Sequence, residues 1–223
     1  MRNFFKRTVS FFLIPTTRWY LRKERKYTYD GVTVTIIPGV FHPGLFFSTK
    51  FLLSFLKTAS LKGNTLLELG CGSGLISIVS AKAGAEVTAS DFSNEAIRNV
   101  KINSQLTEVN VKIIYSDLFE KIDKQAFDWI IINPPYYAHS IENKEQLAWH
   151  CGEGFEYFSR LFLSLHDYMH VITRVIMVIS DDCELNKIFS IADESGFEFI
   201  LLKEKKLWTG EKNFIYEIKY VNK

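Results

Sequence analysis

The chain has 223 residues, 47% of them hydrophobic and 23% charged, with 19 Phe, 10 Tyr and 4 Trp. This length excludes a repeat array or a large multidomain protein and corresponds to one large domain with an appendage or two very small domains, while the composition excludes wholesale disorder. The net charge of +2 conceals an asymmetry, because residues 1–26 carry +7 and the other 197 residues carry −5, which predicts a basic arm with an anionic partner ahead of a mildly acidic body.

Strand-like and helix-like patterns alternate from residue 32 onward. The predicted strands are, in chain order, residues 32–37, 65–69, 86–90, 111–115, 129–132, 171–179, 198–208 and 213–221. The predicted helices are one capped by Ser48, one from the glycine turn at residues 70–74 to about residue 83, one that starts at Ser93, and residues 155–168 and 185–195. From residue 65, five strands separated by helices precede an antiparallel hairpin. We therefore predict an α/β fold with a mostly parallel sheet and helices on both of its faces.

A glycine-rich turn, Gly70-Cys71-Gly72-Ser73-Gly74, follows the strand over residues 65–69. Glycines at this place allow a tight turn and a close approach of a ligand to the helix N-terminus. Because Leu75 stands where a dinucleotide fingerprint needs glycine, and no Gly-Lys-Ser/Thr follows, the turn matches neither that fingerprint nor a P-loop. A purely structural turn is the alternative interpretation.

Acidic residues follow the next two predicted strands. The carboxylate of Asp91 is suited to accept hydrogen bonds from the two hydroxyls of a ribose, and a helix cap is the alternative role. Asp117, followed by Leu118 and Phe119, is suited to hold the amino group of an adenine while apolar side chains cover its ring. A simple turn with a capping aspartate is the alternative there.

The segment Asn133-Pro134-Pro135-Tyr136 follows the predicted strand over residues 129–132 and is the strongest signal in the chain. Two prolines restrict the backbone and remove two N–H donors. The side-chain oxygen of Asn133 and the carbonyl of Pro134 are then rigid acceptors beside an aromatic ring. This arrangement predicts binding of a planar amino group.

Cysteine usage and hydropathy define the expected setting. Cys71, Cys151 and Cys183 form no CxxC pair, so we predict neither a disulfide framework nor a metal site. The longest apolar run near the start, residues 11–14, ends at Pro15 and is far shorter than the ~18 residues of a membrane span. With no match to a secretory signal, we expect a cytoplasmic protein without a transmembrane segment.

In their order and spacing, residues 68–74, Asp91, Asp117 and residues 133–136 resemble the class I S-adenosylmethionine (AdoMet)-dependent methyltransferases of the NPPY branch. Residues 39–44 and 48–56 resemble the lead-in of the small-domain ribosomal RNA methyltransferases. Residues 116–119, the NPPY segment and the terminal hairpin resemble the HemK-type protein glutamine methyltransferases. The resemblance implies a Rossmann-like fold and the cofactor AdoMet.

The resemblance also implies roles for individual residues. Asn133, Pro134 and Tyr136 would be catalytic, with the first two accepting hydrogen bonds from the acceptor nitrogen and the third packing on it. Residues 70–74 would contact the methionine part of the cofactor, Asp91 the ribose, and Asp117 with Leu118 the adenine. The full set of expected cofactor-binding residues is Glu68, Gly70, Cys71, Gly72, Gly74, Asp91, Phe92, Asp117, Leu118 and Asn133.

The expected domains are a basic, aromatic arm at residues 1–30 and a methyltransferase domain at residues 31–223. HemK-type enzymes usually carry a helical N-terminal domain for substrate recognition, and only about 30 residues precede residue 32 here, so we expect this module to be missing or replaced by the basic arm. A solvated helix with two aromatic residues packed on the body is the alternative interpretation of the arm. We expect methyl transfer to a glutamine amide of a release factor or ribosomal protein, or to a nucleic-acid base such as one in RNA, with the arm holding the acceptor. A non-catalytic binding module that keeps the fold is the alternative.

Overall fold

Leucine-rich and β-branched runs form the strands of this protein, and amphipathic segments form its helices, in a computed structural model that describes residues 21–135 and 151–221. The strands are β1 (Arg25–Tyr29), β2 (Val32–Ile36), β3 (Thr65–Leu69), β4 (Glu86–Asp91), β5 (Val111–Tyr115), β6 (Phe127–Ile132), β7 (Met169–Ser180), β8 (Phe197–Lys206) and β9 (Lys212–Tyr220). The helices are α1 (Phe47–Leu56), α2 (Leu75–Lys82), α3 (Asn94–Leu106), α4 (Glu156–Leu165) and α5 (Leu185–Glu194), with a 3-10 turn at His166–Tyr168.

Strands β3 to β9 form one sheet in the order β5-β4-β3-β6-β7-β9-β8. The pairs β3–β4, β3–β6, β4–β5 and β6–β7 are parallel, so the carboxyl ends of these five strands lie at the same edge. β9 is antiparallel to both β7 and β8. The predicted parallel sheet with a C-terminal antiparallel hairpin is confirmed. The chain direction across the sheet reverses between β3 and β6, where α/β sheets commonly form a ligand crevice.

Helices cover both faces of this sheet, as predicted. Leu66 of β3 belongs to the apolar cluster that contains side chains of α1, α2 and α3. Its neighbour Leu67 belongs to a second cluster, formed with side chains of α4 and α5. Successive residues of a strand point to opposite faces, so a strand buried on both sides needs a continuous apolar run. This explains why the central strands are apolar without alternation.

Part of the predicted arm lies in a hairpin. β1 pairs antiparallel with β2, and Asp30-Gly31 makes the two-residue turn between them with φ angles of 51° and 78°. Tyr27 and Tyr29 are partly buried against the core. The prediction of an arm rested on the charges of residues 1–26 and not on these aromatic side chains. Because aromatic residues alternate with polar ones here, residues 25–29 pack on the body. The division at residues 30 and 31 therefore falls within the hairpin turn.

Two local predictions were wrong. Helix α1 begins at Phe47 without a side-chain cap, and Ser48 is buried in its first turn with no hydrogen-bond partner for its hydroxyl among the described residues. No helix separates β5 from β6, since residues 116–126 form turns. Ser116 stabilises these turns by accepting from the amide of Lys121 and donating to the carbonyl of Leu118. In the described ranges, 21–135 and 151–221, no helix is long and apolar enough to cross a membrane.

Candidate active site

The carboxyl ends of β3, β4, β5 and β6 border a cavity of about 790 Å³. Its lining includes most of the site residues predicted from the sequence, namely Glu68, Gly70, Cys71, Gly72, Asp91, Phe92, Asp117, Leu118, Asn133 and Pro134. Tyr136 lies outside the described residues. Gly74 does not line the cavity. Four loops far apart in the chain therefore converge because parallel strands end at one edge.

The glycine-rich turn is held by hydrogen bonds to the neighbouring strand. The amides of Gly70 and Cys71 both donate to the carbonyl of Ser90, at 2.9 and 3.0 Å. Gly70 and Gly72 have φ angles of 75° and 49°, which a residue with a Cβ adopts only with strain. Burial raises the pKa of the Cys71 thiol well above its usual value, so this side chain stays a neutral packing group. The turn thus presents backbone rather than a reactive side chain to the cavity.

Gly74 is required for packing between helices. It precedes α2 with a φ of 76°, and a Cβ at this position would lie 2.8 Å from Cγ2 of Val100 in α3. Contact of Gly74 with the cofactor stays a prediction from the resemblance. The structure places Gly74 behind the turn, where the absence of a side chain lets α3 approach.

We expect Gly74→Ala to lower the free energy of unfolding by about 2–5 kcal/mol, from the strained left-handed conformation plus overpacking against Val100. The matched control is Gly63→Ala, since Gly63 has a φ of 75° but no atom within 4 Å of the added Cβ. Urea unfolding of both variants separates the two contributions. Equal losses of unfolding free energy in Gly63→Ala and Gly74→Ala would show that contact with Val100 does not explain the glycine at residue 74. In that case, the double variant Gly74→Ala/Val100→Ala should be no more stable than Gly74→Ala.

Two buried asparagines of α3 connect the glycine-rich turn to β2. The side-chain amides of Asn99 and Asn103 both donate to the carbonyl of Ser73 at 3.0 Å. The same two amide groups also donate to the carbonyl of Thr35, and Oδ1 of Asn103 accepts from the Thr35 amide at 2.7 Å. Sequence reasoning missed both residues, because a single asparagine in a helix gives no signal of its distant partner. They hold the turn in place through satisfied buried polar groups.

Asp91 connects the loops that follow β3 and β4. Its two carboxylate oxygens accept hydrogen bonds from the amides of Gly72 and Ser93, each at 2.9 Å. The side chain is almost completely buried, and burial raises its pKa although these amide donors oppose the shift. Asp91 therefore orders the two loops nearest the predicted ribose position.

Glu68 is a buried carboxyl group that borders the cavity. One of its oxygens accepts from the amide of Ser77 at 2.8 Å and from the Ser77 hydroxyl. Burial raises its pKa to about 8, only partly opposed by these hydrogen bonds. At neutral pH the group is therefore mostly protonated when no cation is beside it.

This raised pKa predicts a pH-dependent stability. Between pH 4.5 and about 8 the folded protein keeps the Glu68 proton that the unfolded chain releases. The free energy of unfolding should therefore fall with rising pH in this window, by up to about 1.4 kcal/mol per pH unit, relative to Glu68→Gln, which cannot ionise. Urea unfolding of both proteins from pH 5 to pH 9 measures the difference. A constant difference across the window would contradict a buried, protonated Glu68.

The loop after β5 combines Asp117 with a residue that sequence reasoning missed. Asp117 is half-exposed, and its carboxylate pairs with the guanidinium of Arg160 in α4 at 2.9 Å. The same guanidinium pairs with Glu120, also at 2.9 Å. Leu118 has a φ of 47°, in the left-handed region, and lines the cavity. Arg160 thus holds the Asp117 carboxylate at the edge of the site.

Asn133 and Pro134 lie where β6 opens into the cavity. The side-chain amide of Asn133 donates to the hydroxyl of Thr49 in α1 at 3.5 Å. Thr49 is buried and lines the cavity. Tyr157 of α4 also lines it, and burial raises the pKa of its hydroxyl. Sequence reasoning missed Thr49 and Tyr157, although the Gly152-Glu153-Gly154 turn signals that a helix begins near the second of them.

Acidic side chains outnumber basic ones in the lining of the cavity, although Glu68 is mostly protonated at neutral pH and Asp117 is paired with Arg160. The acidic residues of the lining are Glu68, Asp91, Glu95, Asp117 and Glu156. Among the described residues that line the cavity, Arg160 is the single basic residue. Carboxylates around a low-dielectric cavity favour a positively charged ligand. The cavity is therefore suited to a cation.

Comparison with known proteins identifies the family. Residues 31–151 match the family described as methyltransferase small domain. A curated protein of Methanocaldococcus jannaschii, whose name proposes protein N5-glutamine methyltransferase activity, is 34% identical over 116 residues, 52% of this chain and 56% of that protein. The match thus spans little more than half of that relative.

Solved structures establish the fold. The ribosomal protein L11 methylase of Lactobacillus delbrueckii subsp. bulgaricus has a TM-score of 0.62 at 21% identity, covering 84% of each chain. The T. thermophilus 16S rRNA N2 G1207 methyltransferase, solved with AdoMet and guanosine, has a TM-score of 0.60 at 19% identity, covering 87% of this chain and 50% of that one. The Rossmann-like architecture predicted from the sequence is confirmed. Since the family match covers more than half of its residues, this chain belongs to the methyltransferase small domain family, which confirms the predicted enzyme class.

Proposed function

We propose that this protein is an AdoMet-dependent N-methyltransferase of the NPPY branch, which methylates a planar amide or exocyclic amino nitrogen. The observation that carries this proposal is the convergence of the glycine-rich turn, Asp91, Asp117 and Asn133 on one cavity. Its volume of about 790 Å³ is within the usual range for small-molecule sites, about 300–1,000 Å³.

The acidic lining supports AdoMet as the ligand. AdoMet carries a sulfonium and an ammonium group, so its positive charges would offset the carboxylates of the cavity. The product of methyl transfer, S-adenosylhomocysteine, has lost the sulfonium charge. Carboxylates such as Asp91 and Glu156 therefore favour the methyl donor over the demethylated product by electrostatic attraction.

Specific residues fit specific parts of AdoMet. The backbone of Gly70 and Gly72 would approach the methionine part, because both residues have positive φ angles that favour glycine and neither carries a side chain that would hold a ligand away. The Asp91 carboxylate retains acceptor capacity beyond its two amide donors, which suits the ribose hydroxyls. Asp117, held by Arg160, would accept from the adenine amino group, with Leu118 against the ring.

The reaction requires orientation of a weak nucleophile. The nitrogen of an amide or an exocyclic amine has a delocalised lone pair. Asn133 Oδ1 and the Pro134 carbonyl would accept hydrogen bonds from its two N–H groups, which favours pyramidal geometry and aims the lone pair at the methyl group. When bound, AdoMet supplies the methyl carbon, whose bond to sulfur breaks as its bond to nitrogen forms, the electron pair remaining on sulfur. The nitrogen then loses a proton to solvent, and Tyr136 is predicted to pack on the acceptor.

The acceptor proposed from the sequence is a glutamine amide or a nucleic-acid base. The names of relatives support both classes, since one refers to protein glutamine and another to guanosine of 16S rRNA. The catalytic domain would comprise residues 31–223 with β1 packed on it, and the part of the basic arm at residues 1–30 that precedes β1 would hold the acceptor.

Calorimetric titration with AdoMet tests the cofactor, and transfer of tritium-labelled methyl groups into rRNA, ribosomal proteins and release factors tests the reaction. We expect binding in the micromolar range and label in one of these fractions. Wild-type protein that does not bind AdoMet would overturn the proposal.

A further inference from the structure

The tip of the β8–β9 hairpin presents a fully exposed tryptophan. Trp208 is 97% exposed, although tryptophan is on average one of the more buried residue types. The turn around it is closed by hydrogen bonds from the amide of Leu207 to the carbonyl of Glu211, at 2.7 Å, and from the amide of Gly210 to the carbonyl of Leu207, at 2.9 Å. The indole is thus displayed by an ordered turn.

This tip lies at the edge of the sheet that carries the cavity. β9 is antiparallel to β7, with Asn213 opposite Ser180, so β9 begins where β7 ends. The amide of Asp181 donates to the carbonyl of Lys212 at 2.9 Å, which ties the tip to the loop after β7. Only β7 lies between β6 and β9. At the usual strand spacing, the hairpin base is about 10 Å from the strand that presents Asn133.

Exposed lysines accompany Trp208. Lys205 and Lys206 are exposed on β8 immediately before the tip. The two acidic residues of the hairpin end are engaged locally, Glu204 with Lys212 at 2.7 Å and Glu211 with the side-chain amide of Asn213 at 3.1 Å. An aromatic face beside lysines is the combination that binds single-stranded nucleic acid, by stacking and phosphate contact.

A second basic segment, which contains Arg22 and Lys23, precedes β1. Arg25, the first residue of β1, pairs with Ile36, the last residue of β2. Pro38, two residues after Ile36, lines the cavity. Arg22 and Lys23, which precede β1, are exposed. Exposed lysines and arginines therefore lie beside the ends of β2 and β7, whereas the cavity itself is lined by carboxylates. This distribution suits a cationic cofactor inside the cavity and a polyanion on the surface.

We propose that the acceptor is a single-stranded nucleic acid that crosses this edge of the sheet, with a base stacked on Trp208 and phosphates contacting Lys205, Lys206 and the basic segment before β1. The inference rests on the proposed function and selects between its two acceptor classes. A protein glutamine would need neither a displayed indole nor a cationic border. The nucleotide whose amino group is methylated would enter the cavity at Asn133, a few nucleotides from the stacked base.

Fluorescence anisotropy of the full chain tests this surface. The labelled probes are single-stranded RNA, single-stranded DNA and duplex RNA, each of about 12 nucleotides and mixed sequence. We expect Trp208→Ala to weaken single-strand binding about 5- to 100-fold and Trp208→Phe to recover most of it. In Lys205→Ala/Lys206→Ala, the slope of the logarithm of the association constant against the logarithm of salt concentration should be about 1.4 less negative, because two phosphate contacts are lost. The matched controls are Val171→Ala, also fully exposed but at the amino end of β7, and Lys62→Ala, exposed near the amino end of β3.

AdoMet affinity, measured on the same variants, separates this inference from the proposed function. Since Trp208 makes no contribution to the cavity lining, Trp208→Ala should bind AdoMet as the wild type does. Unchanged nucleic-acid affinity in Trp208→Ala, absence of single-strand binding by the wild type, or methyl label only in protein fractions would each overturn the inference. Stronger binding of RNA than DNA, or the reverse, identifies which nucleic acid is the acceptor.

Discussion

Replacing Asn133 by alanine is expected to lower the rate of methyl transfer about 10²–10³-fold, with a much smaller effect on AdoMet affinity. This is the usual loss when one preorganised hydrogen-bonding group is removed from a reacting centre. Asn133 is positioned where β6 enters the cavity and is oriented by Thr49. The acceptor nitrogen would lose the interaction that directs its lone pair. Single-turnover transfer of labelled methyl groups, at saturating AdoMet, measures the effect.

Two variants make this result specific. Thr49→Val removes the hydroxyl near Asn133 and should slow transfer only about 2- to 12-fold, as expected for one neutral hydrogen bond. Asn186→Ala removes an exposed asparagine from α5, away from the cavity, and should leave the rate unchanged. Asn133→Ala that transfers methyl groups at the wild-type rate would show that nitrogen orientation by this side chain is not the mechanism.

Asp91→Ala is expected to weaken AdoMet binding at least about 100-fold. The variant loses a charged acceptor for the ribose hydroxyls, and charge-assisted hydrogen bonds contribute about 1.5–3 kcal/mol each. It also removes the partner of the Gly72 and Ser93 amides, so the loops after β3 and β4 lose their connection. Isothermal titration calorimetry with AdoMet measures the affinity.

Loss of folding stability is separated from loss of binding by a second aspartate. Asp128 accepts from the amide of Thr65 at 2.8 Å and from its hydroxyl at 2.9 Å, at the opposite edge of the sheet. Asp128→Ala should therefore also lower the free energy of unfolding but leave AdoMet affinity unchanged. Equal losses of AdoMet affinity in Asp91→Ala and Asp128→Ala would contradict the proposal that Asp91 binds the ribose hydroxyls. Asp91→Asn, which keeps one acceptor oxygen, should fall between wild type and Asp91→Ala.

The elements around the site could be predicted because their causes are local. Glycines at residues 70 and 72 allow the backbone conformations that the turn adopts. The consecutive prolines at residues 134 and 135 explain why β6 ends at Ile132, just before Asn133. The strands β3 and β6 are short and mostly apolar, as strands buried on both faces require. Since parallel strands end at a common edge, four loops with separate motifs were expected to meet, and their residues line one cavity.

Residues whose roles depend on distant partners could not be predicted. Asn99 and Asn103 look like ordinary polar positions of a helix until Ser73 is placed beside them. Gly74 resembles the other glycines of its turn, but Val100 explains its lack of a side chain. Arg160 gains its role only when α4 packs beside the loop that carries Asp117.

The asymmetry of charge illustrates the same division. Residue order alone establishes a methyltransferase-like series of strands and motifs, a basic start and a mildly acidic remainder, because propensity, turn chemistry and charge are properties of neighbouring residues. Which charges face each other follows from strand order and register. The pairing of Arg25 with Ile36 places the basic segment before β1 beside the end of β2, and the pairing of Asn213 with Ser180 places the β8–β9 tip beside the end of β7. That arrangement arises from backbone hydrogen bonds between segments far apart in the chain, so no local pattern could reveal it.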